Sequence, residues 1–587
     1  MPLSQVHSGM SCTGYSVVQG TAISSFNASV VDVLNSNGSA SAGVQGASIL
    51  VRVSGPAVDS TGVGEGFSGS PVYCPDSQGV QRNIGAVAEG VGDVSNKLAL
   101  LTPIEAILGE PVVPPASARS DSSVTRSAHA LTEPLTVSGV SPSVAALFQT
   151  AAARAGRTLY ATPGTARTAY PVQTLRPGSS VAVGLSSGDI ATGAIGTVAY
   201  TDGNNVWAFG HPLDSAGRRS LLLEDAYVYT VINNPLSSSG NVTTFKLAAP
   251  GHDLGTLTND GLNAVVGQVG ALPPRFPLQV VAHSTDSGAA LTLNDTLADE
   301  SAIGQPTGVS SLSLVTPLAT AQAATLTLHG APAQQSGSMC LQINVQESKV
   351  PLGFCNSYVL DGTSDLSGTS PQDNTMTPYL DDLGTALQNV DSFKLGILHV
   401  TNVKVTLQLG HGVREGYMLA ARGPRQAVAP GHVAKVAVLV QVVRGARTAR
   451  VISVRVPRHA RRGTYLLRLS GTPADSAGNG AISTLVALLS PSAGGQAGAG
   501  VGDAGPPTVD ALQHQIAAIH RFDGVRARFV RGSAGAAGAA AKRRGGSSGG
   551  GGGSSKSKGR NGGGGVPVYR DPSLRLSGTA VAAIRIR

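Results

Sequence analysis

Aromatic residues make up only 4% of this 587-residue chain, charged residues 13%, and tryptophan occurs once. Low charge and few long helical patterns, beside 76 glycines and much Ala, Val, Thr and Ser, predict a mostly-β protein of about three or four domains. No run of 18 apolar residues exists, so no helix is expected to span a membrane. Met1-Pro2-Leu3-Ser4-Gln5 lacks the basic start and apolar core of a signal peptide. Only four cysteines occur, with no Cys-x-x-Cys and no Cys/His cluster, so neither a metal site nor any other cofactor is implied.

What the chain does have is a glycine-framed serine, in Gly64-Glu65-Gly66-Phe67-Ser68-Gly69-Ser70-Pro71-Val72-Tyr73. Gly66 and Gly69 allow a tight turn and close approach to a substrate carbonyl. The amides of Gly66 and Ser68 then form a candidate oxyanion hole, the site that acyl transfer needs for its developing negative charge. The nucleophile elbow of α/β-hydrolases wants glycine two residues after the serine, where this chain has Ser70. The loop reads instead like the Gly-x-Ser-Gly-Gly/Ser-Pro loop of chymotrypsin-like double barrels. A glycine-rich β-turn that merely holds serines is the competing reading.

The residues around the loop resemble the stage IV sporulation protein B (SpoIVB) type serine peptidases, in their long multidomain form. The resemblance runs through Gly9-Met10, Gly14-Tyr15, Gly20-Thr21, Phe26 to Val33, Ile49 to Pro56, Thr61-Gly62, Gly66 to Pro71, Ile84-Gly85-Ala86 and Leu101 to Glu105. A second block matches at Gly196-Thr197-Val198 and Ala208-Phe209-Gly210-His211-Pro212. It implies Ser68 as nucleophile and His211, at a strand end, as general base and acid. In the short members the Gly-His block precedes the serine loop, so the order here implies a chymotrypsin-like double β-barrel in permuted order. The family's aspartate position falls on Ser54, which carries no charge; Asp59, Asp214 and Asp225 are possible substitutes, Asp59 being the first choice for its nearness to the loop. His252, in Pro250-Gly251-His252-Asp253, is a rival histidine that reads as a turn residue. Cys12 and Cys74 both fall in family-like stretches, which implies a disulfide between them. Cys340 and Cys355 flank an apparent hairpin, and a bridge there closes a loop worth about 3 kcal/mol. Four buried free thiols are the alternative.

The expected organisation is a serine-bearing barrel half at 1–112, a linker at 113–135, and a bridging helix with a histidine-bearing barrel half at 136–330. An immunoglobulin-like β-sandwich follows at 331–490, where Val403 to Leu409 alternates cleanly. A helix and strand fill 491–531, a Gly/Ser-rich stretch at 532–565 is expected to be disordered, and 566–587 offers a final strand. In the first unit, Thr102-Pro103-Ile104-Glu105 reads as a capping box opening a short helix that Gly109 ends.

The formal net charge of +8 is unevenly spread: from Arg521 onward, only Asp523 and Asp571 oppose many Lys and Arg. Such a basic tail suits anionic cell-wall polymers. It lacks aromatic interleaving, and no nucleic-acid partner is expected. Two function classes follow: a secreted serine endopeptidase acting on protein or peptide substrates, or a catalytically inactive peptidase-like surface or cell-wall binding protein. Export is expected on the family resemblance, with a signal lost to a start placed too far downstream.

Overall fold

Strands β1 (Ser11–Val17), β2 (Ile23–Asn35), β3 (Ala47–Ser54), β4 (Pro71–Pro75), β5 (Gln81–Val91) and β6 (Leu98–Pro103) pair antiparallel in the ring order β1-β2-β3-β6-β5-β4. The β4–β5 pairing closes this ring into a six-stranded barrel. This computed structural model describes residues 1–35, 46–91, 97–115, 117–118, 128–130, 134–162, 170–233, 244–303, 308–362, 377–475, 480–490, 505–531 and 565–587. Alternation along β2 sends Phe26, Ala28 and Val30 inward, where they meet Val51, Val87 and Leu101. Phe67 of the serine loop is buried in the same core and ties the loop to its barrel. Cys12 on β1 and Cys74 on β4 form a disulfide with a Cα separation of 4.3 Å, beside the paired residues Thr13 and Tyr73.

Helix α1 (Ile104–Leu108) follows β6 and ends at Gly109, whose φ of 78° suits glycine. The expected capping box does not form. Pro103 occupies the cap position, Thr102 Oγ1 donates instead to Gly210 O, and Glu105 Oε2 accepts from Leu3 N. Tertiary partners have taken both side chains. The short strands β7 (Ala128–Ala130), β8 (Leu135–Ser138) and β9 (Leu159–Ala161) come next; β7 pairs with β5 and β8 with β9. Between β8 and β9 lies the expected bridging helix, α2 (Pro142–Arg154), with proline in its first turn and Val144, Leu147, Phe148 and Ala151 buried.

A second ring repeats the plan of the first. β10 (Ser180–Gly188), β11 (Ala191–Asp202), β12 (Asn205–Ala208), β13 (Gly217–Asn233), β14 (Thr244–Asp260) and β15 (Val265–Val269) pair antiparallel in the order β10-β11-β12-β15-β14-β13. Numbered within each unit, both orders read 1-2-3-6-5-4. The second ring belongs to a 13-stranded sheet, which β17 (Ala290–Ala298) and β16 (Arg275–Ser284) extend from β10. The two units meet along two small apolar clusters, one holding Ala86, Ile104, Ala199 and Ala264, the other Val17, Ile195 and Val228.

The sandwich begins later than its sequence suggests. β18 (Gln334–Val345) and β19 (Leu352–Asp361) form the expected hairpin, bridged by Cys340–Cys355 as a directly opposed pair. Yet β20 (Val400–His411) pairs parallel with β16 and antiparallel with β18, so all three strands join the large sheet. Val403, Val405, Leu407 and Leu409 are buried as their alternation requires, in that sheet's core around helix α3 (Ser311–Thr327), buried from Ser311 to Thr325, and α4 (Thr377–Asp391). Two four-stranded sheets then share one core. The first is β23 (Arg447–Arg455), β22 (Val433–Val442), β21 (Glu415–Arg422) and β27 (Arg575–Ser577); the second is β26 (Val566–Tyr569), β25 (Val525–Arg531), β24 (Gly463–Ser470) and β28 (Thr579–Ile586). The Gly/Ser-rich stretch at 532–564 lies outside the described residues.

Candidate active site

The loop between β3 and β4 is clamped from two sides. Toward its own barrel, Gly69 N donates to Val87 O at 2.7 Å and Val87 N to Ser70 O at 3.0 Å. Toward the second ring, Thr197 N donates to Ser68 O at 2.8 Å, Glu65 N to Thr244 O at 3.0 Å, and Lys246 N to Glu65 O at 3.0 Å. The serine-bearing turn thus lies in the seam between the two units. Gly66 and Gly69 take φ of 85° and 89°, where a side chain is strained. A Cβ on Gly69 would stand 1.9 Å from Thr197 O and 2.6 Å from Phe209 N, so only glycine fits.

The histidine arrives at the same seam. β12 ends at Ala208, and the chain turns sharply through Phe209 and Gly210, with φ of 72° and 71°. A buried, non-glycine residue in that conformation is strained, and such strain gathers at functional sites. Phe209 N donates to Thr197 O at 3.2 Å, and Gly210 O accepts from Thr102 Oγ1 at 2.6 Å. A Cβ on Gly210 would lie 3.0 Å from Val87 O, the oxygen that holds Gly69. The Ser68 turn and the His211 turn therefore meet over one carbonyl of β5. His211 Nδ1 lies 2.7 Å from Pro212 O. A carbonyl only accepts, so Nδ1 carries the proton and Nε2 holds the lone pair of the neutral ring. That is the tautomer a general base requires.

Backbone bonds also orient the proposed oxyanion amides. Glu65 O is bound by Lys246 N, and a trans peptide turns Gly66 N–H to the opposite side. Ser70 N binds Phe67 O and fixes the Ser68 amide in the same way. Among the described residues Gly66 N–H has no acceptor.

Beneath the loop runs a polar network that no sequence pattern announces. Lys246 Nζ, fully buried, donates to Ser16 Oγ at 2.8 Å and Thr197 Oγ1 at 2.9 Å and sits 4.7 Å from the Phe67 ring centre. Thr197 Oγ1 in turn donates to Gly66 O at 3.0 Å, and Ser70 Oγ to Ser16 Oγ at 2.9 Å. The network fixes the Gly66 carbonyl and stiffens the turn from behind. Glu65, also buried, accepts from Tyr160 OH at 2.9 Å, and burial together with that carboxylate raises the phenol's pKa well above its ordinary value. A lone lysine within Thr244-Phe245-Lys246-Leu247 is the only sequence sign of this network.

The candidate carboxylates lie elsewhere. Asp59 Oδ1 accepts from Gly55 N at 2.9 Å and faces Lys97 at 3.4 Å, with its side chain 62% exposed. Asp214 pairs with Arg157 and Arg219, and Asp225 with Tyr170 and His252. Ser54 is an exposed strand end opposite Asn27. His252 does bind an aspartate, at 3.0 Å, yet no serine or threonine hydroxyl bonds its ring among the described residues.

The chain matches no protein-family model, no curated protein and no solved structure. Any functional reading therefore rests on the residues themselves. Ser68 and His211 are 0% and 2% exposed, so the site is closed and a substrate reaches it only if the covering chain moves.

Proposed function

We propose that this protein is a secreted serine endopeptidase of SpoIVB type, built on a chymotrypsin-like double barrel with its serine-bearing barrel first. The observation that carries the reading is the meeting of the Gly69 and Gly210 turns over Val87 O, in the seam between two rings of identical strand order. Triad geometry is indifferent to chain order, so the permuted order is no obstacle. Ser68 Oγ attacks the scissile carbonyl carbon as its proton passes to His211 Nε2. The oxyanion is held by the amides of Gly66 and Ser68. Collapse expels the amine, which takes the proton from His211. Water, deprotonated by His211, then cleaves the acyl ester, releasing the acid and restoring Ser68. The two disulfides suit an oxidising compartment, and no helix among the described residues is long and apolar enough to cross a membrane. We assign the basic C-terminal stretch to anionic cell-wall polymers on its charge alone.

A second reading, a catalytically inactive surface or cell-wall binding protein, is favoured by the burial of both Ser68 and His211. Incubation with a reduced, unfolded protein substrate separates the two. The peptidase reading expects fragments that disappear in Ser68→Ala; fragments that persist in Ser68→Ala, or none in the intact folded protein, favour the second reading.

A further inference from the structure

We propose that Glu89 is the carboxylate that positions His211, an inference that rests on the peptidase reading. Glu89 sits on β5 and is only 3% exposed. A buried carboxylate is costly unless it meets a cation or several donors. Where it points follows from strand register. Ala86 opposes Thr102 and Val87 opposes Leu101, but the next opposed pair is Glu89 with Leu100, so Ala88 is an extra residue on β5. Directly opposed residues share a sheet face, and residues two apart on a regular strand do also. Leu100 and Thr102 therefore share one face of β6, and Glu89 and Ala86 lie on that face with them. Val87 and Leu101 point into the barrel core, whereas Ala86 belongs to the inter-unit cluster. Without the bulge, Glu89 would fall on the Val87 face, inside the barrel; the inserted residue turns it outward.

That outward face is where the histidine turn lands. Thr102 Oγ1 holds Gly210 O, and a Cβ on Gly210 would lie 3.7 Å from the Ala86 Cβ. His211 is the next residue, and Glu89 is the next outward side chain along β5 from Ala86. The other charged groups at the loop are engaged otherwise, Lys246 with Ser16 and Thr197, and Glu65 with Tyr160. Asp59, Asp214 and Asp225 have their partners elsewhere. The Pro212 carbonyl sets the tautomer but carries no full charge; Glu89 supplies the negative charge that steadies the imidazolium formed during attack. The acid thus follows the serine in sequence, on the strand that also binds the serine loop.

The test uses the full chain and two readouts, the pH dependence of fluorophosphonate labelling at Ser68 and the His211 ring titration by NMR. Glu89→Gln should lower the His211 midpoint, because a neutral amide no longer favours the charged ring, and slow labelling by up to about tenfold for each unit the midpoint falls. Glu89→Asp should restore part of both, which a merely structural role would not produce. If wild type labels at Ser68 but Glu89→Gln changes neither rate nor midpoint, the Glu89 assignment is overturned and the peptidase reading stands. If wild type does not label, the peptidase reading fails, and the NMR titration alone decides the pairing: an unmoved His211 midpoint in folded Glu89→Gln or Glu89→Asp overturns it.

Discussion

Gly69→Ala is the perturbation that most directly loads the seam. At φ of 89° an alanine pays roughly 1–2 kcal/mol in backbone strain. Its Cβ would stand 1.9 Å from Thr197 O and 2.6 Å from Phe209 N, both backbone atoms of the second ring, so the loop or β11 must move. Relieving such overpacking costs about 1–3 kcal/mol more. The move also stretches two backbone hydrogen bonds, Gly69 N to Val87 O and Thr197 N to Ser68 O. A total of about 3–5 kcal/mol corresponds to a drop of roughly 10 °C in the barrel-unit transition by differential scanning calorimetry. A 1 Å shift of the Ser68 turn should slow fluorophosphonate labelling by about 10²-fold. Gly79→Ala is the control, since Gly79 has φ of 81° but a Cβ added there would meet nothing within 4 Å. It should cost the backbone term alone and leave labelling unchanged. Equal melting shifts for the two variants, with labelling intact in both, would refute the clamped seam.

Three further outcomes are expected. Removing Cys12–Cys74, with a sequence separation of 62, should cost about 4 kcal/mol against about 3 for Cys340–Cys355, with its separation of 15, so serine pairs at the first site should lower the denaturation midpoint more. Burial raises the Asp295 pKa to about 7, so the folded state keeps a proton that the unfolded chain releases near pH 4; this group's contribution to stability falls as pH rises from about 4 to about 7, by roughly 4 kcal/mol in all. Asp295→Asn, which keeps an acceptor for Ile190 N, should flatten that decline in urea titrations at pH 5 and pH 8, and an unchanged slope would contradict it. Lys246→Met should slow labelling about 100-fold while shifting stability by less than about 2 kcal/mol; undiminished labelling would make the network under the loop purely structural.

Local chemistry was legible where it was locally determined. Ser187-Gly188-Asp189 and Asp202-Gly203 are made of turn-forming residues and do connect the antiparallel pairs β10–β11 and β11–β12, and the pairing of Cys340 with Cys355 follows from one hairpin's register. The alternation of Val403 to Leu409 correctly gives a half-buried strand but says nothing about which sheet it joins; the parallel pairing with β16 is a tertiary choice. Thr102 and Glu105 have capping-box spacing, yet Gly210 and Leu3 use them instead. The candidate acid was hidden by a single inserted residue: in Ala86-Val87-Ala88-Glu89 regular alternation puts the glutamate in the barrel core, and only the bulge reverses it. Lys246 was hidden because a buried lysine looks like any other in sequence, and its hydroxyl network of Ser16, Ser70 and Thr197 comes from two strands and a loop far apart in the chain.

The proposed peptidase activity depends on activation of Ser68 by His211 across the seam. Peptide mapping of the full chain after fluorophosphonate treatment tests it most directly, with wild type, Ser68→Ala and His211→Ala compared at equal folded fraction. Modification is expected at Ser68, none in Ser68→Ala, and a rate lower by orders of magnitude in His211→Ala, since a neutral hydroxyl without its base is a poor nucleophile. Modification of another serine, or an undiminished rate in His211→Ala, would contradict it.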